Sequence, residues 1–67
     1  MKNIFMIQEV RTKEYLDFHR GNIYFTPNIN KASQFNSKIT SMNMLKSDIM
    51  QKFCKTKILK IKKFIII

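Results

Sequence analysis

The chain reads as an α+β fold: a small antiparallel sheet of three to four strands with one helix packed on one face, in the order β-β-β-α-β. Three observations predict it. Apolar and polar residues alternate with a period of two across residues 15–19 and again across residues 57–64. The only glycine, Gly21, falls between two short apolar-rich runs, where a hairpin needs positive φ. Apolar residues at spacings of three and four run through residues 39–53, the period of a helix face. A hairpin alone is marginal in water, whereas three or four strands with a helix across them can close a core.

The first segment, residues 4–10, opens apolar on both faces, which suits a central strand. Residues 11–14 are polar and turn the chain. In the second strand Leu16 and Phe18 share one face and Tyr15, Asp17 and His19 the other. Gly21-Asn22 is the hairpin signal, Ile23-Tyr24-Phe25 continues the alternation, and Pro27 stops it. Asn28 is a cap for a single helical turn, after which Phe35 anchors the connection to the core. In the helix, Met42, Leu45, Ile49 and Phe53 form one stripe, opposite Asn43, Ser47, Gln51 and Lys55. Its start is capped by Ser37, Thr40 or Ser41. The last strand points Leu59 and Ile61 inward and Lys60 and Lys62 outward, with residues 65–67 extending it or fraying. The expected core is Ile4, Met6, Leu16, Phe18, Ile23, Phe25, Phe35, Met42, Leu45, Ile49, Phe53, Leu59 and Ile61.

Sixty-seven residues make one domain, residues 1–67, and a chain of this size buries only ~60% of the surface it exposes when unfolded. An apolar content of 45% with one Gly and one Pro is too hydrophobic for a disordered tail and too poor in turn formers for a loop-rich scaffold. Cys54 is the only cysteine, so neither an intramolecular disulfide nor a cysteine-based zinc site can form. The longest apolar runs, four residues as at 64–67, fall far short of the ~20 residues a membrane helix requires. No secretory signal pattern opens the chain, so a cytoplasmic location with no membrane partner is expected.

Catalysis finds little support. His19 is the sole histidine, and Asp17 on the same strand face could orient its imidazole, but no nucleophile or metal completes the set. Lys52, Lys55 and Lys57 surround Cys54 with positive charge, which depresses a thiol pKa, yet no base stands by to use it. The four carboxylates are scattered, and one glycine cannot build a phosphate-cradling loop. The expectation is a non-enzymatic protein with no cofactor and no metal.

Charge is the informative feature. Thirteen Lys and Arg against four Asp and Glu leave a net charge of +9, and eleven of the thirteen are lysine. Residues 52–63 hold six of those lysines and no acid: Lys52, Lys55, Lys57, Lys60, Lys62 and Lys63. Gathered at one helix–strand corner, they would neutralise phosphates without reading bases, since lysine is a point charge and not the bidentate fork that base recognition favours. The plain structural alternative is a solvated lysine-rich surface that keeps a small protein in solution. A second candidate surface is the sheet face opposite the helix, with Tyr15, His19 and Tyr24. Aromatics there stack on bases or anchor a protein contact; cross-strand packing of Tyr15 on Tyr24 is the structural alternative. A homodimer would cover the same face.

The stretch from Tyr24-Phe25-Thr26-Pro27-Asn28-Ile29-Asn30-Lys31-Ala32 through Phe35, followed by a Ser-led helix and a lysine-alternating strand, resembles the small early accessory proteins of tailed bacteriophages. The likeness spans most of the chain, and the Asn, Lys and Ile bias matches a low-GC phage genome. It implies an inhibitor or modulator of a host nucleic-acid-processing or defence complex, in the host cytoplasm, and assigns no catalytic residue. Most characterised inhibitors of nucleic-acid-binding machines in that group that work by mimicry are acidic, and this chain is basic, so DNA mimicry is disfavoured. The leading expectation is therefore a basic binding protein whose partner is a host protein or nucleoprotein complex. The alternative is direct, sequence-tolerant binding of DNA or RNA by the lysine-rich corner.

Overall fold

The computed structural model describes residues 2–66. Three strands come first, β1 (Lys2–Glu9), β2 (Tyr15–His19) and β3 (Asn22–Thr26), then a single 3-10 turn at Ile29–Lys31. Two helices follow, α1 (Lys38–Lys46) and α2 (Asp48–Phe53), and β4 (Leu59–Ile66) ends the described chain, so Ile67 lies outside it. The strands form one sheet in the order β3-β2-β1-β4 with every neighbouring pair antiparallel. The fold class is α+β. Three strands linked in succession and a fourth returned beside the first make a Greek-key order, here with the helices in the long connection.

β1 is central, as its two-sided apolar opening predicts, and Ile4, Met6, Ile7, Gln8 and Glu9 are all buried. β4 pairs with it along its full length, from Lys2↔Ile66 to Glu9↔Leu59. The β2–β3 hairpin closes through Arg20 (φ 51°) and Gly21 (φ 78°), both left-handed, as the primed turn of a two-residue hairpin requires. The turn sits one residue earlier than Gly21-Asn22: Asn22 already pairs with His19.

β1 and β2 are in register only at Gln8↔Tyr15. Beyond that pair they part, and residues 33–35 enter the gap. Ser33 donates its N–H to the Leu16 carbonyl (2.9 Å), the Phe18 N–H donates to Ser33 Oγ (2.7 Å), and Phe5 and Phe35 exchange backbone bonds of 2.9 and 2.8 Å. The inserted segment satisfies backbone groups that the splayed strands would leave unpaired. Phe35 packs against the cluster of Ile7, Leu16, Met50 and Cys54.

The single helix expected across residues 39–53 is in fact two. Ser47 is extended (φ −65°, ψ 152°), and its N–H and Oγ both donate to the Met44 carbonyl, at 3.1 and 2.6 Å. The serine hydroxyl competes with the next helical bond, the behaviour that makes serine a poor helix-interior residue. α2 restarts at once, its Gln51 N–H donating to the Ser47 carbonyl (3.0 Å) while Gln51 Nε2 donates to the Leu45 carbonyl (3.0 Å). Ser37 caps α1, its Oγ accepting the Thr40 N–H at 3.2 Å. The break resets the helical phase. Leu45 and Ile49 still pack on the core, but Met42 (37% exposed) and Phe53 (65% exposed) turn to solvent, and Met50 takes the buried position. Phe18, also expected in the core, is 36% exposed.

Candidate functional site

Cross-strand partners share a face, so the register sorts the sheet into two. The helices pack on the face of Ile7, Leu16 and Leu59. The opposite face carries Lys60, Lys62 and Phe64 from β4, Ile4, Met6 and Gln8 from β1, Tyr15, Asp17 and His19 from β2, and Asn22, Tyr24 and Thr26 from β3. Ile4 and Met6 are buried there with Ala32 under the half-buried Tyr15 and Phe64. Above them Lys60, Lys62, His19 and Tyr24 are exposed. Lys62 Nζ lies 5.6 Å from the Phe64 ring centroid, a cation–π distance. The open face thus joins lysines to aromatic rings.

Tyr15 and Tyr24 are not opposite one another. Thr26 pairs with Tyr15 and Asp17 with Tyr24, which leaves the tyrosines on a diagonal. The ring partner of Tyr15 is Phe64, 6.2 Å away and tilted by 58°.

The six lysines of residues 52–63 do not share one surface. Successive strand residues point to opposite faces, so Lys60 and Lys62 stand on the open face and Lys63 on the helix face, where it lines a shallow depression with Phe5, Lys38 and Ile61. Lys52 lies in the last turn of α2, Lys55 and Lys57 follow the helix, and Lys57 Nζ sits 4.7 Å over the Phe25 ring. The expected corner is divided into a helix-end group of Lys52, Lys55 and Lys57 and an open-face pair of Lys60 and Lys62, with Lys63 apart from both.

Buried polar chemistry concentrates at the opposite end of β1 from Lys2. Glu9 is 2% exposed; its Oε1 accepts the Arg11 N–H (2.7 Å) and its Oε2 the Ile58 N–H (3.1 Å). Arg11 Nε lies 3.5 Å from Oε1, and the same guanidinium donates to the Thr56 carbonyl. The Arg11 backbone N–H does most to hold the carboxyl below its usual value of 4.5, overcoming the upward pull of desolvation, with the Ile58 N–H and the Arg11 charge assisting. Glu9 is a clamp between the β1–β2 turn and the entry to β4, and no sequence pattern marks it. Gln8 is buried beside it: Nε2 donates to the Lys13 carbonyl (3.0 Å) and Oε1 has no hydrogen-bond partner among the described residues.

His19 is exposed and pairs in register with Asn22. Cys54 is buried, and burial raises its thiol above the ordinary 9.0 against the smaller lowering by Lys57. A raised, buried thiol is a poor nucleophile. Among the described residues no three His, Cys, Asp or Glu side chains group to hold a metal, and no helix is long and apolar enough to cross a membrane.

A groove of about 380 Å3 lies between β3 and α2, lined chiefly by Ile23, Phe25, Ile49, Phe53 and Lys57. No sequence signal marks it, because it exists only once Phe53 is turned outward by the Ser47 break. Comparison with protein-family models, curated proteins and solved structures finds no match.

Proposed function

We propose that the chain is a non-enzymatic protein that binds single-stranded nucleic acid, without sequence preference, across its open sheet face. The observation that carries this is the placement of Lys60 and Lys62 on the same face as Tyr15, His19 and Tyr24. Lysines supply phosphate neutralisation and tyrosine rings supply stacking platforms, the two components of sequence-tolerant single-strand binding. The net charge of +9 draws a polyanion toward any part of the surface, and the exposed ring of Tyr24 (53% exposed) offers the contact that charge alone lacks.

The test is fluorescence anisotropy with a mixed-sequence, single-stranded 15-mer. Binding at low salt is expected to weaken steeply as salt rises. Replacing Lys60 and Lys62 by alanine should reduce the log–log slope by about 1.4, since each phosphate left unneutralised lowers it by ~0.7. Tyr24→Ala should cost ~1–3 kcal/mol of affinity if a base stacks there. An absence of binding at 20 mM salt, or a slope indifferent to the two lysines, sinks the reading.

A second reading, a modulator of a host nucleic-acid-processing or defence complex, follows from the resemblance to phage early proteins. The groove between β3 and α2 favours it, because an apolar trough beside the outer edge of a strand can seat a side chain of a protein partner.

A further inference from the structure

Both outer strands of the sheet, β3 and β4, have one unpaired edge, and they are protected very differently. β4 carries Lys60, Lys62 and Lys63, the charged residues that discourage pairing with another chain. β3, with the sequence Asn-Ile-Tyr-Phe-Thr, holds no charge and no proline. Its free main-chain groups can be identified from the turn. In a two-residue hairpin the flanking pair, here His19↔Asn22, is hydrogen-bonded, and alternation makes Asp17↔Tyr24 and Tyr15↔Thr26 the next such pairs. The N–H and C=O of Ile23 and Phe25 therefore point away from β2, outward from the sheet.

The side chains of those same two residues line the groove of about 380 Å3, which α2 completes with Ile49 and Phe53. An edge with free backbone groups thus lies beside an apolar trough, the two requirements of strand addition: main-chain bonds for affinity and a pocket for alternate side chains. Charge selects the occupant. Lys57 is the only charged residue in the lining, its ammonium resting over Phe25, and residues 51–66 around the helix end contain no acid. A second copy of this chain would bring another +9 to the same edge.

We infer that the β3 edge and its groove dock an extended acidic segment of a partner protein, which adds as a fifth strand beside Ile23 and Phe25 and seats one aromatic or large aliphatic side chain against Ile49 and Phe53. The site lies on the other side of β3 from the open face, touching it only through Asn22 and Tyr24, and does not depend on nucleic-acid binding there. Lys57, with Lys52 and Lys55 close by in sequence, meets acidic residues two positions from the anchor, which share its face of the added strand.

The probe is a capped, fluorescein-labelled nonapeptide with a central phenylalanine, glutamate at every second position from it and valine between, titrated into the full chain. A peptide with lysine in place of glutamate is the control. The acidic peptide should bind and the lysine peptide should not. Phe53→Ala and Lys57→Glu should each weaken binding by about 5- to 30-fold. Both side chains are solvent-exposed, so the variants keep the fold, which amide spectra check. Amide exchange of Ile23 and Phe25 should slow by at least ~10-fold on saturation while that of β4 stays unchanged. Equal binding of the two peptides, protection appearing at β4 instead, or concentration-dependent protection of Ile23 and Phe25 without peptide, which would mark a self-dimer, overturns the inference. So does protection of these two amides by the 15-mer oligonucleotide in place of the peptide. Peptide binding with no oligonucleotide binding supports the inference and removes only the open-face reading; the reverse result removes only this one.

Discussion

Glu9 shows how a single buried carboxylate ties three segments together, because its two oxygens accept from the turn after β1 and from the residue before β4. Its native pKa is lowered, so the ionised clamp contributes its full stability above the unfolded value of 4.5 and loses it as pH falls through the lowered native value. Urea midpoints measured from pH 6 down to pH 2.5 should fall on that limb. Glu9→Gln should destabilise the protein at pH 6 and flatten the acid limb; an unchanged pH profile would show that other carboxylates carry it. Backbone strain also acts through single residues. Arg20 occupies a left-handed position at φ 51° that costs an L-residue ~1–2 kcal/mol and asparagine less. Arg20→Asn should therefore raise the urea midpoint by the equivalent of about 0.5–1 kcal/mol, creating the Asn-Gly turn that primed hairpins favour. Gly21→Ala should lower it by about 1–2 kcal/mol, purely through conformation, since nothing lies within 4 Å of the added Cβ.

At the scale of elements, the strands were legible and the helices only half so. The alternation of residues 15–19, the lone Gly21 and Pro27 place the hairpin to within one residue, because these signals act locally. The insertion of residues 33–35 between β1 and β2 left no trace in the sequence, since its hydrogen bonds go to Phe5, Leu16 and Phe18, far along the chain. The helix break was hidden for another reason: no Pro or Gly marks it, and Ser47 lies on what a continuous helix would make its solvent side. The two helical phases make opposite predictions. A continuous helix buries Met42 and Phe53, whereas the broken pair buries Met50 at 1% exposure. Met50→Ala should cost ~2–5 kcal/mol and Met42→Ala less than ~1 kcal/mol, both read from urea unfolding. The reverse order would restore the single helix. The candidate surfaces divide along the same line: Tyr15, His19 and Tyr24 share a face by simple alternation, while the groove needs the break that turns Phe53 outward.

At the scale of the whole molecule, thirteen bases and four acids are confined to a body of 35 × 23 × 22 Å. Splitting the lysines between the open face and the helix end spreads this charge without removing it. The screening length is ~30 Å at 0.01 M salt, enough to couple charges across the entire molecule, and ~10 Å at 0.1 M, where only neighbours interact. Like charges at +9 repel in the compact state more than in the expanded chain, so added salt should stabilise the fold. The same salt should weaken oligonucleotide binding, because the counterions that binding would release are already favoured in place. Stability and affinity are thus expected to move in opposite directions between 0.01 and 0.1 M sodium chloride, with sodium sulfate at matched ionic strength separating screening from surface exclusion. A urea midpoint that stays flat would mean that the lysines lie too far apart to repel. Affinity that stays flat while the midpoint rises would place the oligonucleotide on contacts other than Lys60 and Lys62, and the open face would lose its claim.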